Sequence, residues 1–196
     1  MAPPLVLAST SVSRQRLLAR LGLPFVSERP AVDETRLPGE SPAQLVQRLA
    51  RAKAEAVSQR HPAALVLGGD QVAVLDDEIL TKPGTPAQAV RQLSLLQGRT
   101  HQLLTAIALV RRDAGFLREA LDVTELTMRP WREAELAAYV QHDAPLDCAG
   151  SYRLEGLGIA LFSRWQGVDP SAVEGLPLTI LAAWFAEGGL PLFGPG

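Results

Sequence analysis

Leu65-Val66-Leu67-Gly68-Gly69-Asp70-Gln71 is the stretch from which the rest of the chain is read. Three consecutive aliphatics have the composition of a buried strand, and the two glycines permit a ligand or a second strand to approach the backbone where that strand ends. Asp70 then projects from the strand's carboxyl end. Ligands of open α/β sheets collect at that edge, and a carboxylate there can hold a metal ion or activate water. Gly-Gly-Asp is also a common loop sequence, so a turn aspartate is the plainer reading of these residues taken alone.

Outward from this strand, strand-like and helix-like segments alternate without a fixed repeat, the pattern of an α/β fold. Leu5 to Ala8 read as a first strand, followed by a serine-rich turn and a helix from Ser13 to Leu21 closed by Gly22. A loop carries Asp33-Glu34. Ser41-Pro42-Ala43-Gln44 joins an N-cap, a first-turn proline and a capping-box glutamine, so a helix is expected from there towards His61-Pro62. Thr85-Pro86-Ala87-Gln88 repeats that start, and Leu93 and Leu96 carry the helix to Gly98. Gln102 to Arg111 and Leu117 to Met128 have strand composition, although the alternation of the second breaks near Glu125. Glu133 to Gln141 reads as a helix, Gly158 to Trp165 as a strand, Pro177 to Ala186 as a closing helix and 188–196 as a loose tail.

With 196 residues and 47% hydrophobic side chains, the chain can bury a sizeable core and is expected to form one domain, with two lobes around a cleft. A formal charge of −2, spread without a basic stripe, argues against duplex nucleic acid as a partner and leaves room for a small phosphorylated ligand. The single Cys148 excludes an internal disulfide and fits a reducing compartment, and three scattered histidines give no zinc-type cluster. Cys148 itself reads as a small buried side chain, since no base lies near it in sequence. Met-Ala-Pro-Pro lacks the basic start of a targeting segment and no apolar run reaches membrane-spanning length, so a cytoplasmic protein is expected.

Lys53 interrupts an apolar stripe. Leu45, Leu49, Lys53 and Val57 recur every four residues, so the helix that buries those aliphatics also turns this ammonium inward or lets it snorkel from the stripe's edge. An inward cation needs an anion, and a triphosphate would supply one. Ser9-Thr10-Ser11-Val12-Ser13-Arg14 brings hydroxyls, helix-start amides and a guanidinium together at the end of the first strand, a combination suited to phosphate and equally to plain N-capping. Lys82-Pro83 places a second lysine on a stiffened loop beyond Asp70, and Asp33-Glu34 offers another carboxylate for a divalent ion. Each has a bland alternative, an exposed lysine and a solvated acidic pair. There is no P-loop and no G-x-G-x-x-G, which removes the usual ATPase and dinucleotide readings.

In order along the chain, Leu7-Ala8-Ser9-Thr10-Ser11 with Arg14, Val32-Asp33-Glu34, Arg48-Leu49-Ala50 with Lys53-Ala54, Gly69-Asp70-Gln71, Lys82-Pro83, Cys148-Ala149-Gly150-Ser151 and Gly175-Leu176-Pro177-Leu178 resemble the Maf-like nucleoside triphosphate pyrophosphatases. The resemblance implies a mixed α/β fold of the Maf/Ham1 kind, with an elongated twisted sheet flanked by helices. It also implies hydrolysis of a nucleotide between its α- and β-phosphates, with Mg2+ or Mn2+. Many members are dimers, so a homodimer is open. Asp70 would be the general base and would share the metal with Glu34, while Ser9, Arg14, Lys53 and Lys82 would bind phosphate. Here Gln15 follows Arg14, where the family often has a second arginine.

Gln71 and Glu155 resemble the branch that acts on 7-methyl-GTP rather than the dTTP and UTP branch, as does Gly167-Val168-Asp169-Pro170. A carboxylate at 155 can accept the paired N–H donors of guanine, and N7 methylation adds a positive charge that it favours. Ser13 stands where that branch often has Trp, which keeps a pyrimidine or broad-specificity pyrophosphatase open as an alternative. The family's link to septum formation keeps a second one open, a nucleotide-binding regulator without catalysis.

Overall fold

The computed structural model describes residues 2–193. In chain order its elements are β1 (Leu5–Leu7), α1 (Val12–Ala19), β2 (Val26–Ser27), α2 (Pro42–Ser58), β3 (Leu65–Leu75), β4 (Glu78–Leu80), α3 (Pro86–Leu96), β5 (Thr100–Arg111), β6 (Phe116–Met128), α4 (Glu133–Asp143), β7 (Phe162–Gln166) and α5 (Leu178–Glu187). Caps set the helix starts as expected. The Ser41 hydroxyl accepts from the Gln44 N–H and the Gln44 side chain accepts from the Ser41 N–H, with Pro42 in the first turn. Thr85 caps α3 in the same way through its hydroxyl.

The fold is mixed α/β. The strands form one seven-stranded sheet of order β2-β1-β3-β5-β6-β7, with β4 paired to β3. β1 pairs in parallel with both β2 and β3, whereas β3 with β4 and β6 with β7 are antiparallel. The chain divides into two compact units, one of residues 1–70, 105–122 and 169–196, the other of 71–104 and 123–168. In the first unit, Leu7, Leu17, Leu67, Ile107, Leu181 and Phe185 form the centre of an apolar core, each 1% exposed or less. Leu190 and Leu192 pack against it, and the Leu190 N–H donates to the Phe185 carbonyl at 2.7 Å. The end of the expected tail, 194–196, lies outside the described residues.

The second unit packs α3 against α4 and buries an aromatic trio. His101 sits 5.5 Å and edge-on to Tyr152, and Tyr152 sits 4.9 Å and edge-on to Phe162. His101 Nε2 shares a 2.8 Å hydrogen bond with the Tyr152 hydroxyl, while its Nδ1 is buried without a partner. Burial pushes its pKa down from 6.5 to about 4. The unfolded chain therefore binds a proton that the folded chain refuses between those values, and stability present above pH 6.5 drains away as pH falls to 4. The expected loss is about 3 kcal/mol. Urea unfolding at pH 7, 5.5 and 4.5 checks it: the wild-type midpoint falls more steeply than that of His101→Gln, and parallel curves would assign the acid sensitivity elsewhere.

Four expectations are corrected by the structure. Asp70 is not at a strand end. β3 continues for 11 residues because it exchanges its parallel partner β1, paired only through Leu67, for the antiparallel partner β4, paired from Ala73. That hairpin turns at Asp76-Asp77, both left-handed with φ of 49° and 66°, the backbone of a type I′ turn without its usual glycine. Asp77→Gly is expected to raise stability by roughly 0.5 kcal/mol, read as a shift in the urea midpoint. Second, the stretch expected as a strand from Gly158 starts instead as a 3-10 turn over Leu157–Leu161, and the strand begins at Phe162. A Cβ at Gly158 would lie 2.3 Å from the Arg153 carbonyl oxygen, so the chain here folds onto itself before it can extend. Third, the alternation of β6 does not break near Glu125: Asp122, Thr124, Leu126 and Met128 are all buried, and the break in the sequence comes from polar residues on the buried face. Finally, the two glycines of β3 admit neither a ligand nor a strand at Gly68, but a helix.

Candidate active site

The parallel ladder of β1 on β3 ends at Leu7 and Leu67, and the first unit gathers its polar side chains just beyond that point. β1 gives way to the serine turn. Ser9 is buried and its hydroxyl accepts from the Ser11 N–H at 3.1 Å, while the Ser11 hydroxyl accepts from the Arg14 N–H as the cap of α1. Both hydroxyls thus shape the turn. Arg14, in the first turn of α1, donates from Nε to the Gly175 carbonyl at 3.2 Å. Burial lowers the guanidinium's pKa from its ordinary value, and the carboxylates of Asp70 and Glu34 oppose that effect by favouring the charged form.

Lys53 points inward. Its stripe on α2, Leu45, Leu49 and Val57, is buried, and Lys53 is itself only 6% exposed. The ammonium donates to Asp70 Oδ1 at 2.7 Å and lies 2.9 Å from Glu34 Oε1, so it bridges a buried carboxylate and a largely exposed one. Breaking a buried pair of this kind strands the remaining charge, which is why both partners have to be present together.

Gly68 makes that reach geometrically feasible. A Cβ there would lie 2.1 Å from the Ala50 carbonyl oxygen and 2.7 Å from the Ala54 nitrogen, so the backbone of α2 rests directly on β3. Lys53 belongs to the same turn of α2. Gly69 is looser, its nearest neighbours at 3.4 Å or more being Leu176, the Ala106 carbonyl and Arg14.

The loop that presents Glu34 is held from behind. Arg48 on α2 donates from Nε and Nη2 to the two carboxylate oxygens of Glu40, at 2.6 and 2.9 Å, and from Nη2 to the Thr35 carbonyl at 3.0 Å. These bonds hold the Glu40 pKa down at about 2. Asp33 accepts from the Thr35 N–H, closing the turn on the other side of Glu34.

The second unit carries the other three candidates, Gln71, Lys82 and Glu155. Gln71 follows Asp70 on β3 and is half-buried. Lys82 is exposed on a loop fixed by Gln92, which donates to the Thr81 carbonyl, and by the Gly84 N–H, which donates to the Leu146 carbonyl. Glu155 is exposed at a turn anchored through Arg153, whose guanidinium donates to the Asp143 carbonyl at 3.1 Å and to Asp147 at 2.7 Å. The Arg153 N–H also donates to the Tyr139 hydroxyl. Burial pushes the Cys148 thiol up to about 11, as suits a structural cysteine and not a nucleophile. Ser13, in the first turn of α1, is half-buried.

The carboxylate oxygens of Glu34 and Asp70 are of the donor type a hard divalent ion takes. Glu34 and Asp70 converge on one point, the Lys53 ammonium, and no group of three or more His, Cys, Asp or Glu that could hold a metal occurs among the described residues. Two carboxylates with the remaining positions left to phosphate oxygens and water is the usual arrangement for Mg2+ beside a nucleotide.

In class this is a mixed α/β protein that opposes two carboxylates to two cations beyond the end of a parallel strand pair. The chain belongs to the family described as Maf-like protein, whose model matches residues 4–187. A 7-methyl-GTP pyrophosphatase of Xanthomonas campestris pv. campestris (strain 8004) is 47% identical over 192 residues, covering 98% of this chain and 100% of the relative. Another of that description, from Cupriavidus metallidurans, is 46% identical over 98% of this chain and 96% of its own. A HAM1 protein from Coxiella burnetii superposes with a TM-score of 0.49 at 18% identity, over 94% of this chain and 99% of that one.

Proposed function

We propose that this protein hydrolyses the α-β phosphoanhydride bond of 7-methyl-GTP to 7-methyl-GMP and pyrophosphate, removing a modified nucleotide from the cellular pool. The observation that carries the reading is the Lys53 ammonium held between Asp70 and Glu34, a cation and a base side by side. The names of full-length relatives support the substrate.

In this reading Arg14, Lys53 and Lys82 bind the phosphates, with Ser9 and the amides of its turn adding hydrogen bonds. Asp70 accepts the proton of a water as its oxygen bonds to the α-phosphorus, and the bridging oxygen to the β-phosphorus departs in line with the pyrophosphate. The cations offset the charge that moves onto that leaving group. Mg2+ or Mn2+, held by Glu34 and Asp70, would supply further neutralisation of the phosphate oxygens. Gln71 and Glu155 select the base, Glu155 accepting guanine's N–H donors. The enzyme works on the cytoplasmic nucleotide pool, and no helix among the described residues is long and apolar enough to cross a membrane.

Ser13 in place of the branch's Trp favours one second reading, a pyrimidine or broad-specificity pyrophosphatase. Pyrophosphate release from 7-methyl-GTP, GTP, dTTP, UTP and CTP separates the two. The expected result is a preference for 7-methyl-GTP that Glu155→Gln reduces roughly tenfold, the scale of one charge-assisted hydrogen bond. Faster release from dTTP or UTP keeps the chemistry and overturns the base assignment, and binding without release from any of them returns the nucleotide-binding regulator.

A further inference from the structure

Asp169, which lies in the Gly167-Val168-Asp169-Pro170 stretch and has no part in the chemistry described above, is fully buried, yet it is not a salt-bridge partner of any cation among the described residues. Its carboxylate instead accepts four hydrogen bonds. Oδ1 takes the N–H and hydroxyl of Ser171, and Oδ2 takes the N–H and hydroxyl of Thr179. The Ser171 oxygen in turn accepts from the Leu178 N–H at 2.8 Å. Leu178 and Thr179 are the first residues of α5, whose preceding residue, Pro177, makes no side-chain cap. Asp169 and Ser171 therefore cap α5 from ten and seven residues upstream of the N–H groups they accept from, and an acid at that end also suits the helix dipole.

The consequence is a loop stapled at both ends. Between Ser171 and Leu178 the chain is also held by the Thr105 hydroxyl, which donates to the Ala172 carbonyl at 3.0 Å, by the turn of Ala172–Glu174, by Arg20, which donates to Glu174 at 3.1 Å, and by Leu176, which is buried in the core of the first unit. The Gly175 carbonyl lies within that loop. Gly175 has φ of 115°, a backbone that side chains rarely adopt, and a Cβ there would press on Arg14 at 3.3 Å. Its oxygen receives Arg14 Nε, which fixes the plane of the guanidinium and so the direction of the two Nη groups.

We infer that Asp169 is a positioning residue: by closing the loop from Ser171 to Thr179 it sets the Gly175 carbonyl, and through it orients Arg14 towards the phosphates. This rests on the proposed reading only for the identity of the anion. The orientation of Arg14 is a separate matter, and inorganic pyrophosphate can probe it directly.

The test compares wild type with Asp169→Asn, Thr179→Val, Arg14→Lys and Asp169→Asn/Arg14→Lys, in 7-methyl-GTP turnover and in calorimetric binding of inorganic pyrophosphate. Lysine has no Nε–H equivalent to meet Gly175, so Arg14→Lys removes the link. Asp169→Asn is expected to lower kcat/KM and pyrophosphate affinity roughly tenfold in the wild-type background, and to have no further effect beside Arg14→Lys, although its loss of thermal stability is the same in both. Thr179→Val removes one of the four bonds and gives a smaller effect of the same kind, which keeps the test informative where Asp169→Asn does not fold. Losses that multiply in the double variant would overturn the inference, and so would losses in stability alone, and either leaves the pyrophosphatase reading standing. If wild type binds pyrophosphate with the expected coupling and cleaves no triphosphate, the inference stands and the reading falls.

Discussion

Asp70→Asn lowers pyrophosphate release from 7-methyl-GTP by roughly a thousandfold while the protein stays folded and still binds pyrophosphate, the scale of a lost general base. The asparagine amide has the shape of the carboxylate and keeps an oxygen for Lys53, whose other partner, Glu34 at 2.9 Å, is untouched. The two cations beside it remain, so anion binding survives when proton acceptance is lost. Glu34→Gln behaves differently. It leaves the base in place, weakens the hold on a divalent ion, and is expected to raise the Mg2+ concentration needed for half-maximal rate while sparing much of the rate at saturation. Rates across a Mg2+ titration, with circular dichroism for each variant, check both. An Asp70→Asn protein retaining more than a tenth of wild-type rate would remove Asp70 from the role of base.

Of the acids and cations of the first unit, Lys53 is the one whose local pattern carries a signal in the sequence; the others take their parts from the family resemblance. Lys53 falls on a stripe of aliphatics, a position from which it could turn inward or snorkel to the surface, and the structure finds it inward and 6% exposed. Ser41 and Gln44 form a capping box with strictly local chemistry and needed no tertiary information. What was not legible depends on partners far along the chain. β3 outruns its apolar run because β4 replaces β1 as its neighbour, and nothing in Gly68-Gly69-Asp70 announces that exchange. The turn that makes it, Asp76-Asp77, lacks the glycine that marks such hairpins. The structural parts of Glu40 and Asp169 also give no local signal, although the stretch around Asp169 carries part of the family resemblance. Each is a single carboxylate in a loop stretch, and only the fold brings Arg48 to the one and the start of α5 to the other.

Gly68→Ala and Gly69→Ala are adjacent, chemically identical substitutions with sharply different expected outcomes. At Gly68 the new methyl meets the backbone of α2, with the Ala50 oxygen at 2.1 Å, the Ala54 nitrogen at 2.7 Å and the Ala54 Cβ at 3.0 Å. Helix backbone cannot rotate out of the way as a side chain can, so α2 as a whole has to move off the sheet. Overpacking of that severity costs about 3 kcal/mol. The displaced turn is the one that carries Lys53, whose 2.7 Å contact with Asp70 cannot survive a shift of about 1 Å, a misplacement that lowers rate on the order of a hundredfold. At Gly69 the nearest atoms are at 3.4 Å or more, ordinary contact, and the backbone is outside the left-handed region. Gly69→Ala is therefore expected to change stability by less than about 1 kcal/mol, with part of any loss offset by the stiffer unfolded chain. Urea unfolding and pyrophosphate release on the pair measure both terms. If the two variants match in stability, α2 does not rest on Gly68 as tightly as the distances require. If Gly68→Ala is destabilised yet keeps full activity, the placement of Lys53 against Asp70 does not limit the reaction. A joint loss at Gly68 alone ties the close approach of helix and strand to the chemistry at Asp70.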